Sequence, residues 1–439
     1  MNKYSSYQDT DCDWIGKIPS SWRLVRGRFL FRSQKEINRD MQCENLLSLT
    51  YDGVLNKNFS GSEGLRPENY NTYQIFQKDN LVFKMIDLEN VKTSRVGIVH
   101  EKGIMSSAYI RFEAIKTKIE PKFAYWFYYD LYKKEIYNSI GSGVRSTLSS
   151  SDLLEMELPV PQLEEQKLIS RYLDKKTEQI DRLVEKIEKK IELLKEQRTA
   201  LINQCVTKGL DPNVEMKDSG VEWIGEIPKH WDIKKISWVT SLVTQGGNPD
   251  YSLGEVSDDF RVLKTKNLYD DKIYYDSADT ISEATFLRET QSKPEPNDLL
   301  VAIVGKGSIG KVNIFDPPDD RKYIYSRSLG CVRFIKDEIN VFYIKWFFNS
   351  SSGKQILNLG IGGSTGQEVL KTTYLSGLLV PKPPLTEQKK ISYYLKTECS
   401  KIDQMVDIET KRSNLLKEYC QSLISSVVTG KVHVTKDML

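Results

Sequence analysis

Apolar positions fall into two patterns, short alternating runs and one long seven-residue repeat, and each pattern occurs twice along the 439 residues. Between 163 and about 207 there is neither Pro nor Gly, and Ile180, Ile187, Leu194 and Leu201 recur every seven residues. Val184, Ile191, Arg198 and Cys205 do the same, with charged residues at the outer positions, which predicts a coiled-coil-type seam. At about 1.5 Å per residue such a helix is roughly 65 Å long. Its stripe needs a partner, and Ile402, Val406, Leu416, Leu423 and Val427 mark a second helix of the same kind. There Glu409 and Ser413 replace Ile187 and Ile191, so a weak or water-filled patch is expected halfway along.

The remaining sequence reads as strands broken by turns. In the first half these are LLSLTYDG (46–53), NLVFKMI (80–86), RVGIVH (95–100) and AYIRFEA (108–114). A helix at 121–136 follows, with Phe123, Trp126, Phe127 and Leu131 on one face. LPVP (158–161) is expected to end any sheet, because proline cannot donate to a ladder. The second half offers strands at 261–275, 298–304, 308–315 and 332–336, then VFYIKWFF (341–348) as the counterpart of KFAYWFYY.

The halves are copies. Shifting by 222 residues lays LEEQKLISRYL (163–173) on LTEQKKISYYL (385–395), and LLKE at 193–196 on LLKE at 415–418. WIGKIPSSW (14–22) returns as WIGEIPKHW (223–231), shifted by 209. In each nonapeptide the two tryptophans are expected to bury a shared face. A period this long excludes a solenoid and means two homologous half-molecules. The expected segments are 1–157, a first mixed domain; 158–210, the first long helix; 211–379, a linker and second domain; and 380–439, the second long helix. The fold class is α+β: two mixed α/β domains separated by two long helices that partner each other.

Composition narrows the chemistry. No apolar run is long enough to span a membrane and the N-terminus lacks a signal-peptide core, so a cytoplasmic protein is expected. Six scattered cysteines form no CxxC pair, and the three histidines lie far apart, which disfavours structural zinc and histidine catalysis. The +3 net charge is too small to hold DNA by bulk charge alone, so basic groups must be focused or partners must help.

No catalytic motif survives inspection. GKGSIGK (305–311) begins like a phosphate-binding loop, but Val312 stands where Ser or Thr would hold magnesium, and a strand follows. It reads as a glycine turn between strands. DPPD (316–319) and NPDY (248–251) lack the complete tetrad of an adenine methyltransferase loop. EQK at 165–167 and 387–389 has no strand-borne acid beside it. A solvated first turn or a partner contact explains it, with Glu165, Gln166, Glu387 and Gln388 as docking candidates.

Binding chemistry remains. Lys57, Arg66, Lys84, Arg95 and Arg145 in the first domain lie in or beside loops, as do Lys264, Lys266, Lys306 and Arg327 in the second. Asn267, Ser364, Thr365 and Gln367 could add hydrogen bonds to base edges. Ile180, Ile187, Leu194, Leu201, Ile402, Leu416 and Leu423 are the helix-pairing candidates.

WIGEIPKHW, the GLDPNVEMKDSGVEWIG junction and the twice-written Pro-x-Leu-x-Glu-Gln-Lys-x-Ile resemble the specificity subunits of Type I restriction–modification systems. The resemblance spans essentially the whole chain. It implies a non-catalytic subunit in which each recognition domain reads one half of a split, asymmetric site in double-stranded DNA. It also implies helices that pair antiparallel as a coiled-coil spacer with internal pseudo-two-fold symmetry and dock methyltransferase subunits, two of them, with restriction/translocase subunits joining afterwards. No cofactor is expected in this chain; S-adenosylmethionine would come with the methyltransferase. Half-sites one duplex turn apart, roughly 34 Å, would suit two separate domains. A coiled-coil scaffold tethering two protein-binding domains is the alternative. The bases read and the spacer length are not legible in the sequence.

Overall fold

The computed structural model describes residues 2–57, 70–86, 88, 94–140, 147–269, 272–305, 307–362 and 368–439. The chain forms two compact units, Met1–Glu188 with Thr410–Leu439, and Lys189–Glu409. The division runs through both long helices, so each unit holds one domain and half of each helix.

In the first unit a four-stranded antiparallel sheet has the order Phe31–Arg32, Ile110–Ala114, Leu81–Phe83, Val96–Ile98. The helix Pro121–Lys133 covers it. Pro121 sits at the first helical turn, where its missing N–H is no loss, and Phe123, Phe127 and Leu131 face inward. Tyr128 meets Phe83 edge-on at 5.0 Å, and Phe31 stacks on Phe112 at 5.3 Å, so aromatic geometry fixes the layer. In the second unit the corresponding sheet has the order Thr240–Gln245, Leu329–Phe334, Leu299–Ala302, Val312–Ile314, again antiparallel. A further sheet, Asp279–Ser282, Val256–Leu263, Lys322–Tyr325, includes one parallel pairing.

The proline-marked ends differ from expectation. Glu157–Val160 is a strand, paired with Arg23–Arg26 so that Pro159 lies opposite Leu24. Leu379–Lys382 repeats this with Asp232–Lys235. A two-stranded ribbon leaves each strand one free edge, where a missing donor costs nothing. The glycine motif after Leu299–Ala302 is a turn between strands as expected, with Gly305, Gly307 and Gly310 all at positive φ.

The long helices are Leu163–Lys208 and Leu385–Val428. Within the first unit Ile169, Leu173, Ile180 and Val184 share a core with Leu423, Ile424, Val427 and Val428, and Leu416 packs at its edge. Glu188 pairs there with Lys417 at 2.8 Å. Within the second unit Ile202, Cys205 and Val206 share a core with Ile391, Leu395 and Cys399, and Leu201 packs against it. Arg198 meets Asp403 at 2.8 Å and Lys190 meets Glu409 at 2.6 Å, a register that makes the helices antiparallel. Ile187, Leu194 and Ile402 are buried but belong to neither core. Of the two polar residues in the second seam, Glu409 is buried in the second unit, where Lys190 closes on it, and Ser413 is buried in the first.

Asp130 is buried in the first unit, paired with Lys134 at 2.7 Å and accepting from Gln421 Nε2 at 3.0 Å. Burial pushes its carboxyl up, and Lys134 only partly opposes this. A carboxyl raised by folding ionises more readily in the unfolded chain, so its penalty is present above the folded pKa and fades as pH falls through it. In parallel urea titrations, the stability difference between the parent and Asp130→Asn will shift in the parent's favour as the medium is acidified. A pH-independent difference would assign the shift elsewhere.

Candidate nucleic-acid interface and helix clamps

In the second unit a short turn, Thr265–Asn267, carries Lys264 and Lys266 on either side of Asp279. Lys264 Nζ lies 2.7 Å from Asp279 Oδ2 and 4.7 Å from the centre of the Tyr251 ring, while Lys266 takes the other carboxylate oxygen. Burial alone would raise the Asp279 carboxyl, but the two lysines outweigh it and hold it below its usual range. One carboxylate thus serves two ammonium groups and leaves the turn positive.

Neighbouring residues extend the patch. Lys272 lies over Tyr274 at 4.3 Å, Lys311 over Tyr269 at 4.4 Å, and the two tyrosines meet edge-on at 5.0 Å. Thr265 N–H donates to Ser328 Oγ at 3.2 Å, which brings the exposed Arg327 turn alongside. Exposed Tyr251, Tyr269 and Tyr274 interleave with these cations. Lysines can neutralise phosphates and tyrosine faces can pack on bases or sugars, so the patch has the chemistry of a nucleic-acid surface. Lys272, Lys311 and the tyrosines were not singled out from sequence; the Tyr/Lys alternation through 264–275 was the available signal.

Several candidates have other roles. Asn267 is fully buried, its Oδ1 accepting from Lys264 N–H at 2.9 Å and its Nδ2 donating to Ser277 Oγ at 3.0 Å. It shapes the turn and does not reach outward. Arg95 is 2% exposed and donates to the carbonyl of Ile86 at 3.1 Å, acting as an internal strut. Lys84 is half-buried and Lys57 is exposed just past the strand Gly53–Asn56. Arg66, Arg145, Lys306, Ser364, Thr365 and Gln367 lie outside the described residues.

The docking candidates need a larger correction. Gln166 and Gln388 are 1% and 0% exposed and clamp their domains to the helix starts. Gln166 Oε1 accepts from Glu120 N–H at 2.7 Å, and its Nε2 donates to the carbonyls of Pro161 at 2.9 Å and Lys118 at 3.2 Å. Gln388 Oε1 accepts from Asn340 N–H at 2.8 Å, and its Nε2 donates to Pro383 at 2.8 Å and Glu338 at 3.3 Å. Glu165 receives Tyr4 Oη at 2.5 Å and Trp22 Nε1 at 3.2 Å, and Glu387 meets His230 Nε2 at 2.8 Å. All four hold the repeated WIG…W segments and loops of their own unit. Trp22 and Trp231 are both fully buried; Trp14 and Trp223 pack beside them only in part.

Among the described residues, no group of three or more His, Cys, Asp or Glu could hold a metal, and no helix is long and apolar enough to cross a membrane. The family model of the Type I restriction modification DNA specificity domain matches residues 53–193 and 228–418, one stretch in each half. The chain belongs to this family. Within it, the specificity subunit of the Type I restriction enzyme MjaVIII from Methanocaldococcus jannaschii is 26% identical over 432 residues, 95% of this chain and 94% of that protein. A solved chain of a type I R-M system covers 95% of this chain and all of its own length, with a TM-score of 0.69 at 12% identity. The HsdS subunit from Thermoanaerobacter tengcongensis covers 94% of this chain and 98% of itself, with a TM-score of 0.55 at 14% identity. These two share its fold. A specificity subunit contributes recognition and not catalysis.

Proposed function

We propose that each unit of this specificity subunit reads one half of a bipartite, asymmetric site in double-stranded DNA. The long helices act as the spacer, related by a pseudo-two-fold axis, and dock two methyltransferase subunits that bring S-adenosylmethionine; restriction/translocase subunits join that complex. The observation that carries this reading is the doubling: two α/β units, each with its own core, each clamped by the same glutamine to the start of a long helix. The lysine–tyrosine patch around Lys264, Lys266, Lys272 and Lys311 is the proposed reading surface of the second unit, with Arg327 at its margin. The domain interiors diverge while the clamps repeat, as two scaffolds reading different half-sites require.

The test is single-molecule sequencing of adenine methylation in cells with and without this chain, the methyltransferase partner being present in both. A split motif that appears only with the chain is expected. An unchanged methylome, with the chain shown to be expressed, would overturn the reading.

A further inference from the structure

In the second unit a groove of about 420 Å³ lies between the helix Val341–Asn349 and the start of the second long helix. Phe342, Trp346 and Tyr393 line it together with Lys345, Lys389 and Lys396, and no carboxylate does. Phe342 is 48% and Tyr393 75% exposed. Lys389 and Lys396 are exposed and make no ion pair among the described residues. Asp403, further along the helix, is already held by Arg198.

The matching surface of the first unit is closed on itself. The repeat lays Trp126 on Trp346, Lys122 on Phe342, Lys167 on Lys389 and Asp174 on Lys396. There Asp174 accepts from Trp126 Nε1 at 3.0 Å and pairs with Lys122 at 2.5 Å, while Lys167 pairs with Glu164 at 2.7 Å. Exchanging Asp174 for Lys396 and Lys122 for Phe342 turns a self-satisfied polar surface into an aromatic floor ringed by lysines.

The geometry points to this groove as a docking site for an acidic protein segment that carries an apolar side chain, supplied by the methyltransferase partner. The inference rests on the assembly reading above and adds where one partner is gripped and by what chemistry. Exposed aromatic rings gain from an apolar complement, which a phosphate backbone does not offer. Lys389 and Lys396, without an ion pair among the described residues, select for carboxylates and speed encounter with them. Because the matching surface of the first unit is paired within itself, two copies of one partner bind this chain with unequal affinity.

The experiment titrates the full chain with its methyltransferase subunit, reading affinity and stoichiometry by sedimentation. Lys389→Glu with Lys396→Glu is expected to weaken the tighter step about tenfold or more. Phe342→Ser, a neutral change, is expected to weaken the same step. Lys122→Glu with Lys167→Glu in the first unit should leave that step unchanged, and thermal unfolding should match the parent for every variant compared. Unchanged affinity in the second-unit variants, or equal losses from both units, would overturn the proposal. So would loss of affinity for a random-sequence DNA duplex with partner binding intact, which would mark a phosphate site. If the parent chain binds no methyltransferase at all, the assembly reading falls together with this one. Parent binding with indifferent variants removes only the groove.

Discussion

Replacing Gln388 with alanine will destabilise the second unit by about 3 kcal/mol, measured as the shift in its denaturant unfolding. The side chain is fully buried and serves three backbone groups at once. Truncation strands the N–H of Asn340 and the carbonyl of Pro383, each at roughly 1–3 kcal/mol when no water replaces the partner. Gln388→Glu should be no better, because a carboxylate can accept from Asn340 but repels two carbonyl oxygens. Exposed Lys390, two residues on, supplies the control: its alanine variant should change stability by less than about 0.5 kcal/mol. A loss for Gln388→Ala as small as the control's would show that the clamp is ornamental.

Ile187→Pro is expected to abolish methylation in cells while leaving both units folded. Proline in a helix interior removes a hydrogen bond and clashes with the preceding turn, at a cost of about 3 kcal/mol or more. The position is 6% exposed, yet it belongs to neither hydrophobic core and lies one residue before the division between units at Glu188. The first core ends along this helix at Val184 and the second begins at Ile202, so a break at 187 spares both. Limited proteolysis should release two resistant fragments from the variant. Retained methylation would refute the spacer role; loss of either resistant fragment would mean the helix is also needed for folding.

The first helix was legible to within a residue or two because its heptads run uninterrupted between proline at one end and glycine at the other, whereas the second, expected over 380–439, spans only Leu385–Val428. Strands were harder. Gln74–Phe76 and Gly103–Met105 are too short to show alternation, and Lys322–Tyr325 follows a run of Asp, Pro and Arg that reads as loop. At Pro159 a true rule about proline was applied without knowing that the ribbon had only two strands. The polar residues were misread for one common reason. Nothing local distinguishes an arginine that reaches solvent from Arg95, or a glutamine awaiting a partner from Gln166, until distant backbone is folded around it. Lys264 and Lys266 do reach the surface, half-buried and exposed, because a lysine beside a turn can keep its ammonium group in water.

The glutamine joint touches only main-chain atoms of the domain it holds. Residue 118 is lysine where 338 is glutamate, and 120 is glutamate where 340 is asparagine, yet the bonds are the same. Such a joint is blind to side chains, so the residues whose main chain it bonds can change identity without loosening it. Drift in the surrounding side chains is thereby uncoupled from these bonds of the mounting.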